Sequence, residues 1–230
     1  MDLYQRMEQD RRRGKWIVGG LERCDYTKGL IQRMDIFEQM QGLLSEEGTG
    51  LRFYQVTAPS RFGNPDYQNL HHVLAEKVNA VNDDLGEAAV IHMDQGIAGP
   101  QNYRFMREVD IMMVTPLEDG MNLVAFEYIL SQKYKSKQER GMLVLSTSGA
   151  SRVLKERGFR EEDGVVHVNA LQAKAAAKKA LAALKKGQHI SDRLIQYVET
   201  ERRVDQWARQ NIDAILNSKR LDKRKRAMKT

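Results

Sequence analysis

The 230-residue sequence is poor in residues that cross-link chains or hold metals. One cysteine, Cys24, excludes an internal disulfide, and five scattered histidines fall into no metal-ligand spacing, so neither a redox role nor a metal is indicated. Nowhere is there the run of about 20 apolar residues needed to cross a bilayer. The opening MDLYQRMEQDRRRGK is too charged for a secretion signal. A cytoplasmic protein without a membrane partner is expected. Two phosphate-binding fingerprints are also missing: Gly19-Gly20 lacks the G-x-G-x-x-G spacing, and no G-x-x-x-x-G-K-[ST] loop occurs. There is no internal repeat.

What the chain has is a real core and an excess of positive charge. Hydrophobic residues make up 41% of it, enough for one large or two small globular domains. The net charge of +6 suits an anionic partner, but much of the excess lies at the ends, in Arg11, Arg12 and Arg13 and in Lys219, Arg220, Lys223, Arg224, Lys225, Arg226 and Lys229. Blocks of like charge are usually solvated and frayed, which argues against a nucleic-acid partner. The informative charges are the isolated ones inside folded segments.

Short apolar runs alternate with helical patterns. Strands are predicted at Trp16 to Gly20, Leu51 to Thr57, Ala88 to Met93, Asp110 to Thr115, Met142 to Ser146 and Val165 to Val168. Helices are predicted at Leu30 to Leu44, Pro65 to Leu85, Pro100 to Arg107 and Leu123 to Gln132. Such alternation implies an α/β fold, a Rossmann-like doubly wound parallel sheet, with functional loops at the carboxyl ends of the strands. Beyond it, Asn169 is placed to cap an alanine-rich helix that Gly187 ends, read as a surface helix of the sheet domain. A helix from Ser191 to Leu216 carries Leu194, Val198, Val204, Trp207, Ile212 and Ile215 on one side. The organisation expected is a basic segment over 1–15, the sheet domain over 16–187, a packing helix over 188–217 and a basic tail over 218–230.

Three constellations could carry chemistry. In VTPLEDGMNLVAFEYILSQ a buried strand meets the turn Glu118 to Asn122 and then a helix, a geometry that offers backbone amides and a helix dipole to anionic or hydroxyl-rich ligands. Glu127, one turn into that helix, could accept two hydroxyls from a ribose. The same run also reads as an ordinary β-α turn capped by Asp119 or Asn122, with Glu127 solvated. In GLERCDYTKGL, Arg23 and Lys28 flank a turn after the first strand and could converge on a diphosphate, or could be surface charges around Asp25. In TAPSRFGNPDYQNL, Arg61 sits in a loop on the same rim and could bind a phosphate. The pair Arg104 and Arg107 is ambiguous. Asn82-Asp83-Asp84 follows a helix rather than a strand and is rejected as a metal site, and His71, His72 and His92 read as core or surface residues.

Together these runs resemble, in order, three motifs of the C-terminal domain of the trehalose-6-phosphate synthase and glucosylglycerol-phosphate synthase glycosyltransferases: E-R-L-D-Y-x-K-G, A-P-[ST]-S-R and V-T-P-L-R-D-G-M-N-L-V-A-K-E-Y. The similarity runs from about Trp16 to Leu216. It implies one half of a GT-B glycosyltransferase, with a nucleotide sugar as donor, UDP-glucose, ADP-glucose or GDP-glucose, and no metal or other cofactor. By motif position, Arg23 and Lys28 would hold the donor diphosphate and stabilise the departing charge. Asp119 would bind glucose hydroxyls, the Gly120, Met121, Asn122 and Leu123 backbone would contact sugar and phosphate, and Glu127 would hold the ribose. Arg61 would reach the phosphate of the acceptor, with Arg107 near the substrates' phosphates. The implied reaction moves glucose to a phosphorylated acceptor, with retention and without a protein nucleophile.

The sequence departs from these motifs at Cys24 for leucine, Glu118 for a basic residue and Phe126 for lysine. Glu118 puts donor-base or acceptor preference in question. The family's N-terminal half, with its Gly-rich loop and most acceptor contacts, has no counterpart in the chain, so a partner domain or chain is implied. Glucose 6-phosphate is the leading acceptor. Glycerol 3-phosphate, a non-catalytic donor-binding or regulatory subunit, and a homo-oligomer are the alternatives.

Overall fold

Side chains alternate across a strand, so a strand apolar at every position must be covered on both faces. The chain meets that condition. The computed structural model describes residues 2–44, 50–61, 63–97 and 99–201. Within them six strands, β1 (Lys15–Arg23), β2 (Gly50–Ala58), β3 (Val90–Met93), β4 (Ile111–Val114), β5 (Met142–Ser146) and β6 (Val165–Val168), pair in parallel in the order β3-β2-β1-β4-β5-β6. Every residue of β4, β5 and β6 is buried.

Helices α1 (Leu3–Arg12), α2 (Leu30–Leu44), α3 (Pro65–Leu85), α4 (Pro100–Glu108), α5 (Leu123–Ser131), α6 (Gly149–Glu156), α7 (Ala173–Lys185) and α8 (Asp192–Glu201) cover the two faces. Val18, Phe53, Ile111, Met113 and Val144 face a core shared with α2, α3 and α7. Their alternates Ile17, Tyr54, Met112, Val114 and Leu145 face a second core with α1, α4, α5, α6 and α8. The doubly wound Rossmann-like sheet is therefore as expected, and most boundaries follow from local chemistry. Asn64 caps α3 with Pro65 in its first turn, and Gly86 ends it in the left-handed region.

Two expectations are corrected, and one helix is added. Residues 1–15 are not a frayed basic segment, because Asp2 and Gln5 form a reciprocal cap on α1 and its Met7 is buried. Asp10 accepts from the Tyr54 hydroxyl (2.5 Å), and Arg11 reaches Glu108 (3.2 Å) and Asp110 (3.5 Å). Asn169 does not cap α7. Its side chain accepts from Leu171 N–H (3.0 Å) in a local turn, and the helix starts at Ala173. Helix α6, unforeseen, packs Ala150 and Leu154 into the second core behind Ser148 as cap. α8 buries Leu194, Ile195 and Val198, whereas Val204, Trp207, Ile212, Ile215 and the basic tail lie outside the described residues.

Candidate functional site

In an open parallel sheet the crevice forms where the strand order reverses, here between the carboxyl ends of β1 and β4. After β1, Asp25 accepts from the Thr27 amide (3.1 Å) and hydroxyl (3.0 Å), capping a single 3-10 turn, Tyr26–Lys28. Gly29 then turns left-handed (φ 60°) so tightly under the Thr115 carbonyl that a Cβ there would overlap it. The turn thereby aims Lys28 across the crevice. Its Nζ lies 2.6 Å from Asp119 Oδ2, with both side chains largely buried.

From the other side, β4 leads through Pro116 into the Glu118 to Asn122 turn, which is tied to the β1 loop by Leu117 N–H donating to the Thr27 carbonyl (2.8 Å). Asn122 caps α5, its Oδ1 accepting from Val124 N–H (3.0 Å) and its Nδ2 donating to Asp119 Oδ2 (3.2 Å). The cap is thus Asn122, not Asp119. Beneath the turn, Gly149 at the start of α6 donates to the Asp119 carbonyl (2.9 Å) and packs so closely that a Cβ would overlap the Gly120 carbonyl. Gly120, Met121 and Leu123 remain exposed beside the first turn of α5. Glu127 is half-buried one turn further on, with no side-chain partner among the described residues.

Arg23 ends β1, exposed, its guanidinium without a hydrogen bond or ion pair among the described residues. Its charge and that of Arg61 both act on Asp25: burial pushes that carboxyl up, but the Thr27 donors and the two guanidinium groups hold it below its ordinary value. Arg61 is the one non-glycine residue with positive φ (48°) among the described residues. Its guanidinium donates to the Tyr67 hydroxyl (2.6 Å) and lies over the same ring, 5.1 Å from its centroid. Tyr67 packs edge-on against Tyr26 (5.6 Å) of the β1 turn. Arg23, Lys28, Arg61, Asp119 and the α5 N-terminus therefore share one rim.

Arg107 does not join them. Helix α4 runs back against the strand direction, which carries Arg107 to a cavity lined by Lys15, Trp16 and Asp110 at the amino ends of the strands. The expected placement of Arg107 near Arg23, Lys28 and Arg61 is thus corrected. Cys24, buried at the end of β1, has its thiol pushed up to about 11 by burial and the nearby Asp25.

Two residues that carry the rim were missed. Arg33 of α2 is fully buried and ion-pairs with Glu22 of β1 (3.0 Å). It also donates to Thr115 Oγ1 (2.9 Å) and Gln55 Oε1 (3.1 Å), filling the space over Gly20 that a side chain there would occupy. Glu22 in turn contacts Asn122 Nδ2 (3.4 Å), while its second oxygen is buried without a partner. Burial pushes its carboxyl above the usual carboxylate value against the pull of Arg33 and Lys28. A signal existed: Arg33 stands three and seven residues before Ile36 and Met40, inside the apolar stripe of α2, where a charge requires a buried partner.

The fold and rim define a doubly wound α/β domain with a charged crevice at its switch point. Residues 2–217 match the family model of glycosyltransferase family 20, and the chain belongs to that family. It is 30% identical over 211 residues to a trehalose-6-phosphate synthase of Mycobacterium avium, covering 88% of this chain and 40% of the relative. It is 33% identical over 144 residues to a bifunctional trehalose-6-phosphate synthase/phosphatase of Thermoproteus tenax, covering 61% of this chain and 19% of the relative. Among solved structures, an alpha,alpha-trehalose-phosphate synthase (UDP-forming) from Burkholderia xenovorans in complex with glucose-6-phosphate superposes with a TM-score of 0.75 at 25% identity, over 92% of this chain and 46% of that one. A trehalose-6-phosphate structure from E. coli bound with UDP-2-fluoro glucose gives 0.68 at 27% identity, over 79% and 38%. The architecture is that of one Rossmann-like half of a GT-B enzyme, and the chain spans less than half the length of these relatives.

Proposed function

We propose that the chain is the donor-binding half of a retaining, metal-independent glucosyltransferase that moves glucose from a nucleotide sugar to glucose 6-phosphate, giving α,α-trehalose 6-phosphate. The observation that carries this is the convergence of Lys28 and Asp119 across the β1–β4 crevice, with Arg23 and Arg61 on the same rim. The two partners of that ion pair suit the two ends of a sugar diphosphate. Sugar hydroxyls donate to Asp119, and the diphosphate, a stronger acceptor, draws Lys28 and the unpaired Arg23. The amides of Gly120 to Leu123 face the hexose and phosphate, and Glu127, without a side-chain partner among the described residues, takes the ribose hydroxyls. Arg61, held in strained backbone by its contacts with Tyr67, takes the phosphate of the acceptor.

In the reaction the bond from glucose C1 to the diphosphate oxygen breaks as the acceptor hydroxyl oxygen bonds C1 on the same face. The hydroxyl proton passes to the departing phosphate oxygen. Arg23 and Lys28 stabilise the charge that develops there, which is electrostatic catalysis by preplaced cations. No nucleophile of the protein is needed. The ligands of the related structures, UDP-2-fluoro glucose and glucose-6-phosphate, support this donor and acceptor. The remaining acceptor contacts belong to the other GT-B half.

The test is calorimetry of the chain with UDP-glucose, ADP-glucose and GDP-glucose, followed by turnover assays with glucose 6-phosphate and glycerol 3-phosphate in the presence of a companion N-terminal half. One nucleotide sugar is expected to bind, and Arg23→Ala with Lys28→Ala to abolish that binding. Unchanged diphosphate affinity in the double variant would sink the site. Turnover with glycerol 3-phosphate alone would reassign the acceptor.

A further inference from the structure

β1 runs eight residue steps from Lys15 to Arg23, about 26 Å at the usual rise. At its far end, the amino edge of the sheet, lies a cavity of about 570 Å³. Five cationic side chains line it, Arg11, Lys15, Arg107, Lys135 and Arg140, against three carboxylates, Glu108, Asp110 and Glu139.

The carboxylates are already engaged. Glu139 accepts from the Ser136 amide and hydroxyl, Glu108 pairs with Arg11, and Asp110 accepts from Ile17 N–H (2.8 Å) and lies 3.5 Å from Arg11. Three of the cations keep donor capacity that no side chain among the described residues takes up. The Arg107 guanidinium has no hydrogen bond or ion pair among the described residues. Lys135 Nζ donates to the Arg107 carbonyl (2.9 Å) and has no ion pair within that range. Burial and the charge of Arg11 push its ammonium below the usual lysine value. Arg140 is more than nine-tenths buried; one terminal nitrogen donates to Asp192 (2.8 Å) and to the Ile190 carbonyl (3.3 Å), and its Nε is buried with no partner among the described residues. Cationic donors grouped around one cavity suit an acceptor with several oxygens and negative charge, such as a phosphate.

The cavity is far larger than a bare phosphate and falls in the range of small-molecule sites. One wall is Trp16, 41% exposed, whose ring face suits the apolar side of a pyranose. The amides of Gln138 and Gln188 stand by to meet hydroxyls. We propose that this amino-edge cavity is a second ligand site, separate from the nucleotide-sugar rim, that binds a phosphorylated monosaccharide through Arg107, Lys135 and Arg140, with Trp16 against the sugar ring.

Trp16 gives the readout. The chain has two tryptophans, so in a Trp207→Phe background of the full chain Trp16 is the only indole. Glucose 6-phosphate should change its fluorescence saturably, inorganic phosphate more weakly and glucose not at all. Arg107→Gln with Lys135→Gln should weaken the response at least about tenfold. Arg61→Gln and Lys28→Gln, at the opposite edge, should leave it unchanged. Because the Arg107 guanidinium has no partner among the described residues, Arg107→Gln alone serves if the double variant unfolds. The proposal is overturned if no saturable change occurs, or if the change disappears with Arg61→Gln or Lys28→Gln. A response to inorganic phosphate as strong as that to glucose 6-phosphate overturns the assignment of a sugar. These outcomes leave the reading of the carboxyl-edge rim standing or falling by its own calorimetry.

Discussion

Removing one partner of a buried ion pair leaves the other charge stranded, typically at a cost of about 3–5 kcal/mol. Glu22 and Arg33 are such a pair, and their position turns a stability effect into a site effect, since Glu22 touches the Asn122 that caps α5 and Arg33 spans β2, β4 and the Lys28 turn. Glu22→Ala should therefore lower the urea midpoint by a loss in that range. Glu22→Gln keeps the shape and should cost less, while still weakening nucleotide-sugar binding through Asn122 and Asp119. A Glu22→Gln protein with undiminished donor affinity would separate the pair from the site. The cysteine makes a simpler case. Buried and with its thiol pushed up to about 11, Cys24 should react with a thiol reagent only at the rate of unfolding; rapid labelling of native protein would contradict its burial.

At the scale of elements, the junction between the Asp119 turn and α6 is the tightest contact supporting the rim. Gly149→Ala places a methyl on the Gly120 carbonyl, so either the turn or the helix must shift. Such overpacking usually costs about 1–3 kcal/mol, and donor affinity should fall more than stability does. Helix α6 also carries Ser151, whose hydroxyl lies 2.9 Å from Nδ1 of His167 on β6, while His167 Nε2 lies 3.1 Å from the Phe159 carbonyl. A carbonyl only accepts, so Nε2 carries the proton and Nδ1 accepts from Ser151. Burial pushes His167 down from 6.5 to about 4, so the unfolded chain takes up this proton first. The contribution of His167 is whole above about pH 6.5 and is lost as pH falls toward about 4. Thermal unfolding across that window should show the decline, and His167→Gln should make it shallower.

Elements were the most legible level in the sequence, and the reasons are local. Helix α2 begins, and α3 begins and ends, where predicted because Gly29, Asn64, Pro65 and Gly86 punctuate them. Helix α1 was hidden because its arginines read as a solvated block, and only tertiary partners, Glu108 and Asp110 about a hundred residues away, show otherwise. α6 was hidden by Gly149 and Ser151, weak helix formers that are retained for packing under the turn. The rim residues from the β1, β2 and β4 loops were legible because parallel topology puts all carboxyl ends on one edge. Arg107 was misplaced for the complementary reason: motif position says nothing about which end of a helix returns to which edge. Glu22 and Arg33 lie below the rim, where only alternation and the α2 stripe could have pointed to a buried charge.

On the scale of the whole molecule, binding and turnover should separate. The proposed donor groups lie on one sheet edge of this chain, whereas the proposed acceptor has only Arg61 here, and a transfer needs both reactants oriented together and water excluded. The chain alone should therefore bind a nucleotide sugar weakly without transferring glucose. Adding a companion GT-B half should tighten donor binding and start turnover together, because closing the crevice supplies the missing contacts and lowers the dielectric around the Arg23 and Lys28 charges. Single-turnover measurements with labelled nucleotide sugar, with and without the companion, decide this. Glucosyl transfer by the chain alone would show that its own rim is sufficient. Tightened binding with no transfer in the completed protein, by contrast, would leave the chain as a donor-binding subunit, and Glu118, the acidic residue beside Asp119, would then be the first substitution to reverse, as Glu118→Arg. Restoration of transfer by that one change would place the defect at the donor turn rather than in the companion half.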